Sequence, residues 1–265
     1  MSYNFEKEHI IPLALGGNNN FTIDVGRKIN NYLGSCIDGK FSNDPIVKLH
    51  LLPHNNKGHS NKAPVLRLSK CRINNHPATW TLTKSGSSVY DHIEQKKYDK
   101  FSKLDVSFSV DIDIRLRFMC KVALATGFYL FGEQFEKSAD TATLRKAMLS
   151  ENLDKENLDL KMYDNLHKIE DKDNGQINTE QLLFRYIGKS AVLFGHAKGR
   201  IIVSVSINGK YIGMVNFKAD INTLRLDDDH RCGCMLICNN TVIKKSFWQC
   251  IYDMNSELKL VDFDQ

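Results

Sequence analysis

The chain reads as an α+β protein: a small N-terminal strand–loop–strand–helix module over residues 1–44, followed by a larger mixed α+β domain over 45–265. Three observations lead there. Short β-prone pieces separated by turn clusters run to about residue 88, a long apolar run occupies Arg115–Phe131, and Asn208-Gly209 separates two strand-like segments. With 265 residues, 42% of them hydrophobic and 25% charged, the chain is able to bury one large core or two smaller ones.

In the first module, Phe5–Ile11 is a short strand stopped by Pro12, and Gly16-Gly17-Asn18-Asn19-Asn20 is a run of turn formers. Phe21–Val25 is a second strand. A helix over Arg27–Ile37 follows, with Asp24 as its N-cap and Gly39 as its stop. Its stripe Ile29, Leu33 and Ile37 is expected to pack on the larger domain, because some 35 residues bury too little surface to fold alone.

Residues 42–88 hold β-prone pieces, IVKLHLL, PVLRL and ATWTLT, between turn clusters. Leu104–Ile114 alternates with period two and reads as a strand, and Arg115–Phe131, apolar nearly all round, as a buried central helix. Residues 141–170 and 177–187 have helical spacing. Ala191–Phe194, Arg200–Ile207, Tyr211–Phe217 and Met235–Cys238 read as strands, and Asn208-Gly209 is the preferred dipeptide of a two-residue hairpin.

No apolar run approaches the ~18–20 residues of a membrane span, and MSYNFEKEH lacks the apolar stretch of a signal peptide. The expectation is a cytoplasmic protein with no membrane partner. Seven cysteines without a regular framework read as reduced thiols. Residues 1–72 hold ten Lys/Arg against five Asp/Glu, while the other 193 hold 26 of each. The positive excess thus lies in the N-terminal quarter, as suits contact with a phosphate backbone.

The chemistry-bearing residues lie in that quarter. Glu8-His9-Ile10-Ile11-Pro12 leads to Gly16-Gly17, and Asn30-Asn31-Tyr32-Leu33-Gly34 follows about 20 residues later. This pattern resembles the HNH, or ββα-metal, endonuclease family. The resemblance implies a metal-dependent nuclease with His9 as general base and Glu8 as an acidic metal ligand or positioning residue. Asn30 or Asn31 would be the helical metal ligand, and Asn20, from the Asn18–Asn20 run, the residue that fixes the histidine. Many members carry Cys-x-x-Cys before the helical ligand to hold a structural zinc; Gly26 and Ile29 stand there in this chain.

An imidazole with an unperturbed pKa of ~6.5 can deprotonate water near neutrality. Carboxylate and amide oxygens suit a hard cation, Mg²⁺ or Mn²⁺, which absorbs charge on the phosphoryl oxygens. Arg27, with Lys28 and Lys40 on the same basic segment, is placed to grip phosphates. The implied partner is double-stranded DNA, cut by a homodimer in restriction or anti-phage defence. Two alternatives stand beside it: a nucleic-acid-binding protein that no longer cuts, and an HNH nuclease acting on RNA.

Other candidates weigh less. His54 and His59 fit a solvated loop, and His230, Cys232, Cys234 and Cys238 lack the usual zinc spacing. Trp80, Tyr90 and Trp248 have the chemistry to stack on bases, although aromatics in β-rich regions commonly fill cores.

Overall fold

A computed structural model describes residues 4–54, 56–58, 61–150, 158–166, 179–224 and 233–258. It opens with β1 (Phe5–His9) paired antiparallel to β2 (Thr22–Gly26), His9 facing Thr22 and Phe5 facing Gly26 in register. Helix α1 (Arg27–Tyr32) leaves β2 directly, widens into a π-helical stretch at Leu33–Asp38 and ends as α2 (Gly39–Ser42). The order strand–loop–strand–helix is that expected, but the helix limits differ. Gly26 occupies the N-cap, Asp24 stays in β2 with its carboxylate on Lys7, and Gly39 sits in right-handed helical conformation and stops nothing.

Asp44 caps α3 (Pro45–Leu51), accepting from the Ile46 and Val47 amides at 2.8 and 3.2 Å. The piece IVKLHLL expected as β is therefore helical: an Asp N-cap followed by Pro outweighs its β-branched residues. A five-stranded antiparallel sheet follows, built from β3 (Leu66–Ile73), β4 (His76–Thr83), β5 (Gly86–Asp91), β6 (Lys96–Tyr98) and β7 (Asp105–Val106), in the order β6-β5-β4-β3-β7. The strand expected over Leu104–Ile114 shrinks to β7, because Asp111 accepts from the Ile114 amide at 3.1 Å and starts α4 (Ile112–Phe131).

Helix α4 is buried on all sides from Ile114 to Gly127. Against it pack α5 (Glu133–Ser138), α6 (Thr141–Leu149) and a six-stranded sheet. That sheet contains β8 (Leu160–Asp164), β9 (Ala191–Ala197), β10 (Arg200–Ile207), β11 (Lys210–Lys218), β12 (Cys234–Cys238) and β13 (Val242–Ser246), in the order β13-β12-β9-β10-β11-β8. Among the described residues of 141–170, the helical spacing holds for α6, whereas Leu160–Asp164 pairs with β11 as an edge strand; 151–157 and 167–170 lie outside the described residues. Asn208 and Gly209 both take positive φ between β10 and β11, as a two-residue hairpin turn requires. Helices α7 (Thr179–Ile187) and α8 (Phe247–Leu258) cover the sheet's other face.

Ile10, Ile11, Leu15, Phe21, Leu33, Ile37 and Phe41 share one apolar core with α4 and the six-stranded sheet. Ile29, expected in the buried stripe, is instead 44% exposed. Among the described residues no helix is long and apolar enough to cross a membrane.

Candidate active site at the hairpin–helix junction

The loop from Ile10 to Phe21 is rigid for reasons legible residue by residue. Ile10 donates its amide to Phe21 O at 2.9 Å, and the amides of Leu15 and Gly17 both reach Pro12 O. Gly16 sits at φ +79°, and a Cβ on Gly17 would lie 1.7 Å from Ile11 O, so the Gly-Gly pair is a steric necessity. Asn18 reaches the turn after β12 through Asn239 O and Asn240 O, at 2.5 and 3.2 Å, and Ser190 donates to Leu15 O. The six-stranded sheet thereby fixes the loop that follows His9.

His9 ends β1, and its Nε2 lies 3.3 Å from Asn19 Oδ1. The residue meeting the histidine from the Asn run is thus Asn19. Asn20, expected there, is exposed and gives its backbone amide to Asn18 Oδ1 at 2.8 Å.

Strand alternation sends Glu6 and Glu8 to one face of β1, and Lys7 and His9 to the other. On the helix side, Glu6 accepts from Asn30 Nδ2 at 2.9 Å and pairs with Arg27 at 3.4 Å. Asn30 Oδ1 is buried with no hydrogen-bond donor. Asn31 is exposed, and its carbonyl accepts from Ser35. Arg27, Lys28 and Lys40 are exposed along the helix.

Glu8 is 6% exposed, and its Oε1 lies 2.6 Å from the ammonium of Lys121, a residue of α4 that is 1% exposed. Lys121 also holds Asp38 Oδ2 at 2.9 Å and donates to His9 O. Burial pushes the Asp38 carboxyl up to about 7, with Glu8 adding to the rise and Lys121 opposing it. A single lysine thus sits between two carboxylates, tying β1 and the π-helical stretch to α4.

The donor types at Glu6 and Asn30 fit a hard divalent cation, and the orphaned Asn30 Oδ1 is an oxygen such an ion would satisfy. Neither carboxylate is free for it in this arrangement: Arg27 and Asn30 Nδ2 hold Glu6, and the Lys121 ammonium holds Glu8, so a metal at Asn30 would have to displace Arg27 from Glu6. Among the described residues the one group of three close His, Cys, Asp or Glu ligand atoms is elsewhere: His76, Asp91 and Glu94. Asp91 there is occupied by His76 Nδ1 and by the Ile93 and Glu94 amides, which makes it a turn-forming residue.

Beside the junction, Phe5, Ile23, Ile29, Leu33, Phe128 and Met148 help line a largely apolar cavity of about 660 Å³ that has Glu8 and Lys121 among its walls. Lys121, Asp38 and Asn19 were not singled out from the sequence. A lysine inside the apolar run RLRFMCKVALATG was the available signal, because a buried ammonium needs carboxylate partners. Of the other sequence candidates, Cys234 and Cys238 are buried in β12, His59, His230 and Cys232 lie outside the described residues, and Tyr90 and Trp248 are exposed.

No family model, curated protein or solved structure matches the chain.

Proposed function

We propose that the chain is an HNH-type endonuclease that hydrolyses phosphodiester bonds in DNA. The observation that carries this reading is the hairpin running straight into α1, with His9 at the end of β1 and its Nε2 facing Asn19 Oδ1. His9 takes the proton of an attacking water, and Asn19 fixes the imidazole orientation. Asn30 Oδ1, on the face of β1 opposite His9, is the oxygen that would help hold Mg²⁺ or Mn²⁺, and the ion would supply charge stabilisation on phosphoryl oxygens once the two faces meet around the substrate. Glu8 acts indirectly, by anchoring β1 to Lys121. The exposed Arg27, Lys28 and Lys40 supply phosphate contacts. Two copies acting on opposite strands would cut a duplex, in a restriction or anti-phage role.

A second reading is favoured by two observations: the Lys121 ammonium at Glu8, and the placement of His9 and Asn30 on opposite faces of β1. Under it the protein binds nucleic acid without cutting. Plasmid DNA and a long RNA, incubated with wild type and His9→Ala in EDTA, Mg²⁺ and Mn²⁺, separate the cases. Metal-dependent DNA cleavage lost in His9→Ala upholds the nuclease. Binding without cleavage under either metal selects the second reading, and preferential RNA cleavage changes the substrate.

A further inference from the structure

The five-stranded sheet has two unlike faces. Its inner face carries Cys71, Ile73, Ala78 and Val89, packed with Leu68, Trp80, Phe101 and Leu104. Among the described residues, no apolar cluster covers its outer face. Register places Arg67, Thr81 and Ser88 in one cross-strand row, and Thr79, Tyr90 and Lys97 in another, while Arg72 stands opposite Pro77 on β4 and Asp105 on β7. Arg67, Arg72, Tyr90 and Lys97 are exposed, Tyr90 at 41%.

We propose that this outer face is a second DNA-contacting surface, which holds the phosphate backbone through Arg67, Arg72 and Lys97, with the Thr and Ser hydroxyls and Tyr90 between them. The partner class rests on the nuclease reading; the surface does not. Cations interleaved with hydroxyl donors match phosphate oxygens, which accept from both. Two of the three cations have a carboxylate beside them that phosphate would have to compete with: Asp105 faces Arg72 from β7, and Asp99 lies 3.1 Å from Lys97. Asp91, by contrast, ends β5 on the inner face, and Glu94 belongs to the turn that follows. A bulge between Leu68 and Cys71 puts Arg67 and Arg72 on the same face, opposite Thr81 and Pro77 four residues apart on β4, roughly 13 Å at ~3.3 Å per residue. That spacing exceeds the ~12 Å width of the major groove, enough to reach phosphates on both walls.

The test is binding, measured by fluorescence anisotropy in EDTA with the His9→Ala protein, so that cleavage plays no part. Probes are a labelled duplex DNA and, as competitor, heparin. Arg67→Ala/Arg72→Ala/Lys97→Ala is compared with Lys137→Ala/Lys146→Ala/Lys161→Ala, an equal charge change elsewhere on the surface. The sheet variant is expected to lose roughly tenfold or more in affinity and to flatten the log K against log salt slope by about 2–3, at ~0.9 per lost phosphate contact. The control is expected to change little. Equal losses in both variants, no loss in either, or heparin competition equal for the sheet variant and wild type would overturn the proposal. Photocrosslinking of bromodeoxyuridine-substituted duplex to the protein with an unaltered sheet needs no surface variant: adducts within residues 66–98 support the surface, and adducts confined to residues 5–40 overturn it. Failure of cleavage with binding intact would overturn the nuclease reading alone.

Discussion

Lys121 Nζ lies 2.6 Å from Glu8 Oε1, and this ion pair between α4 and β1 is almost wholly removed from water. It decides how the N-terminal hairpin is held. The resemblance assigns Glu8 to a metal or to positioning; in the structure its carboxylate anchors β1 to an ammonium 113 positions along the chain.

Removing the cation strands two buried carboxylates. We expect Lys121→Met to destabilise the protein by ~3–5 kcal/mol, read by urea unfolding. Glu8→Gln combined with Lys121→Met should cost less than the two single changes added together, since the pair is coupled. Strict additivity would mean the two groups do not interact.

The Asp38 carboxyl, pushed up to about 7 by burial and by Glu8, binds its proton more tightly folded than unfolded. The folded state therefore carries an extra proton between the ordinary carboxylate pKa of ~3.9 and about 7, and stability falls as pH rises through that window. Lys121 and Glu8 are the charged groups that face it. Asp38→Asn should flatten the fall between pH 4 and 7 relative to wild type. An unchanged difference in melting temperature across that range would remove Asp38 from the pH response.

His9→Ala should leave melting unchanged and lower cleavage by ~10²–10⁴-fold, the usual worth of one positioned base. Asn19→Ala should reproduce part of that loss, and Asn20→Ala little of it. The reverse order would restore Asn20 as the residue orienting His9.

Asn30→Ala should raise the Mg²⁺ concentration needed for half-maximal cleavage more than Asn31→Ala does, because Asn30 presents a buried oxygen without a donor and Asn31 is exposed. Elemental analysis should find no stoichiometric zinc, since neither Gly26 nor Ile29 offers a side-chain ligand. A larger effect at Asn31 would shift the ligand by one residue.

The isolated fragment 1–44 should be unfolded by circular dichroism, with or without Mg²⁺. Its Ile10, Ile11, Leu15, Phe21 and Ile37 are buried in a core that α4 and the six-stranded sheet complete. A cooperative thermal transition in the fragment would show that the hairpin and helix are self-sufficient.

Much of the hairpin–helix order was legible because its signals are local. Pro12 and Gly16-Gly17 punctuate the chain, the second strand is short and partly apolar, and the helix follows without a linker. Asn208-Gly209 marked its turn for the same reason: positive φ is a property of individual residues. Local signals also misled where two competed. IVKLHLL is β-prone by composition, but Asp44-Pro45 in front of it supplies a helix cap. Leu104–Ile114 alternates, yet Asp111 caps a helix beginning inside it.

By itself the sequence determined an α+β chain with a strand–loop–strand–helix start, a buried helix at Arg115–Phe131, and the candidates His9, Asn30 and Asn31. Only the tertiary structure decided their surroundings: Asn19 rather than Asn20 at His9, Lys121 and Asp38 around Glu8, and Leu33 and Ile37 of the expected stripe in the shared core with Ile29 left exposed. The physical reason is range. Turn, cap and periodicity preferences act within a few residues, whereas the charge that Glu8 meets in a buried, low-dielectric site depends on which distant helix the fold brings against it.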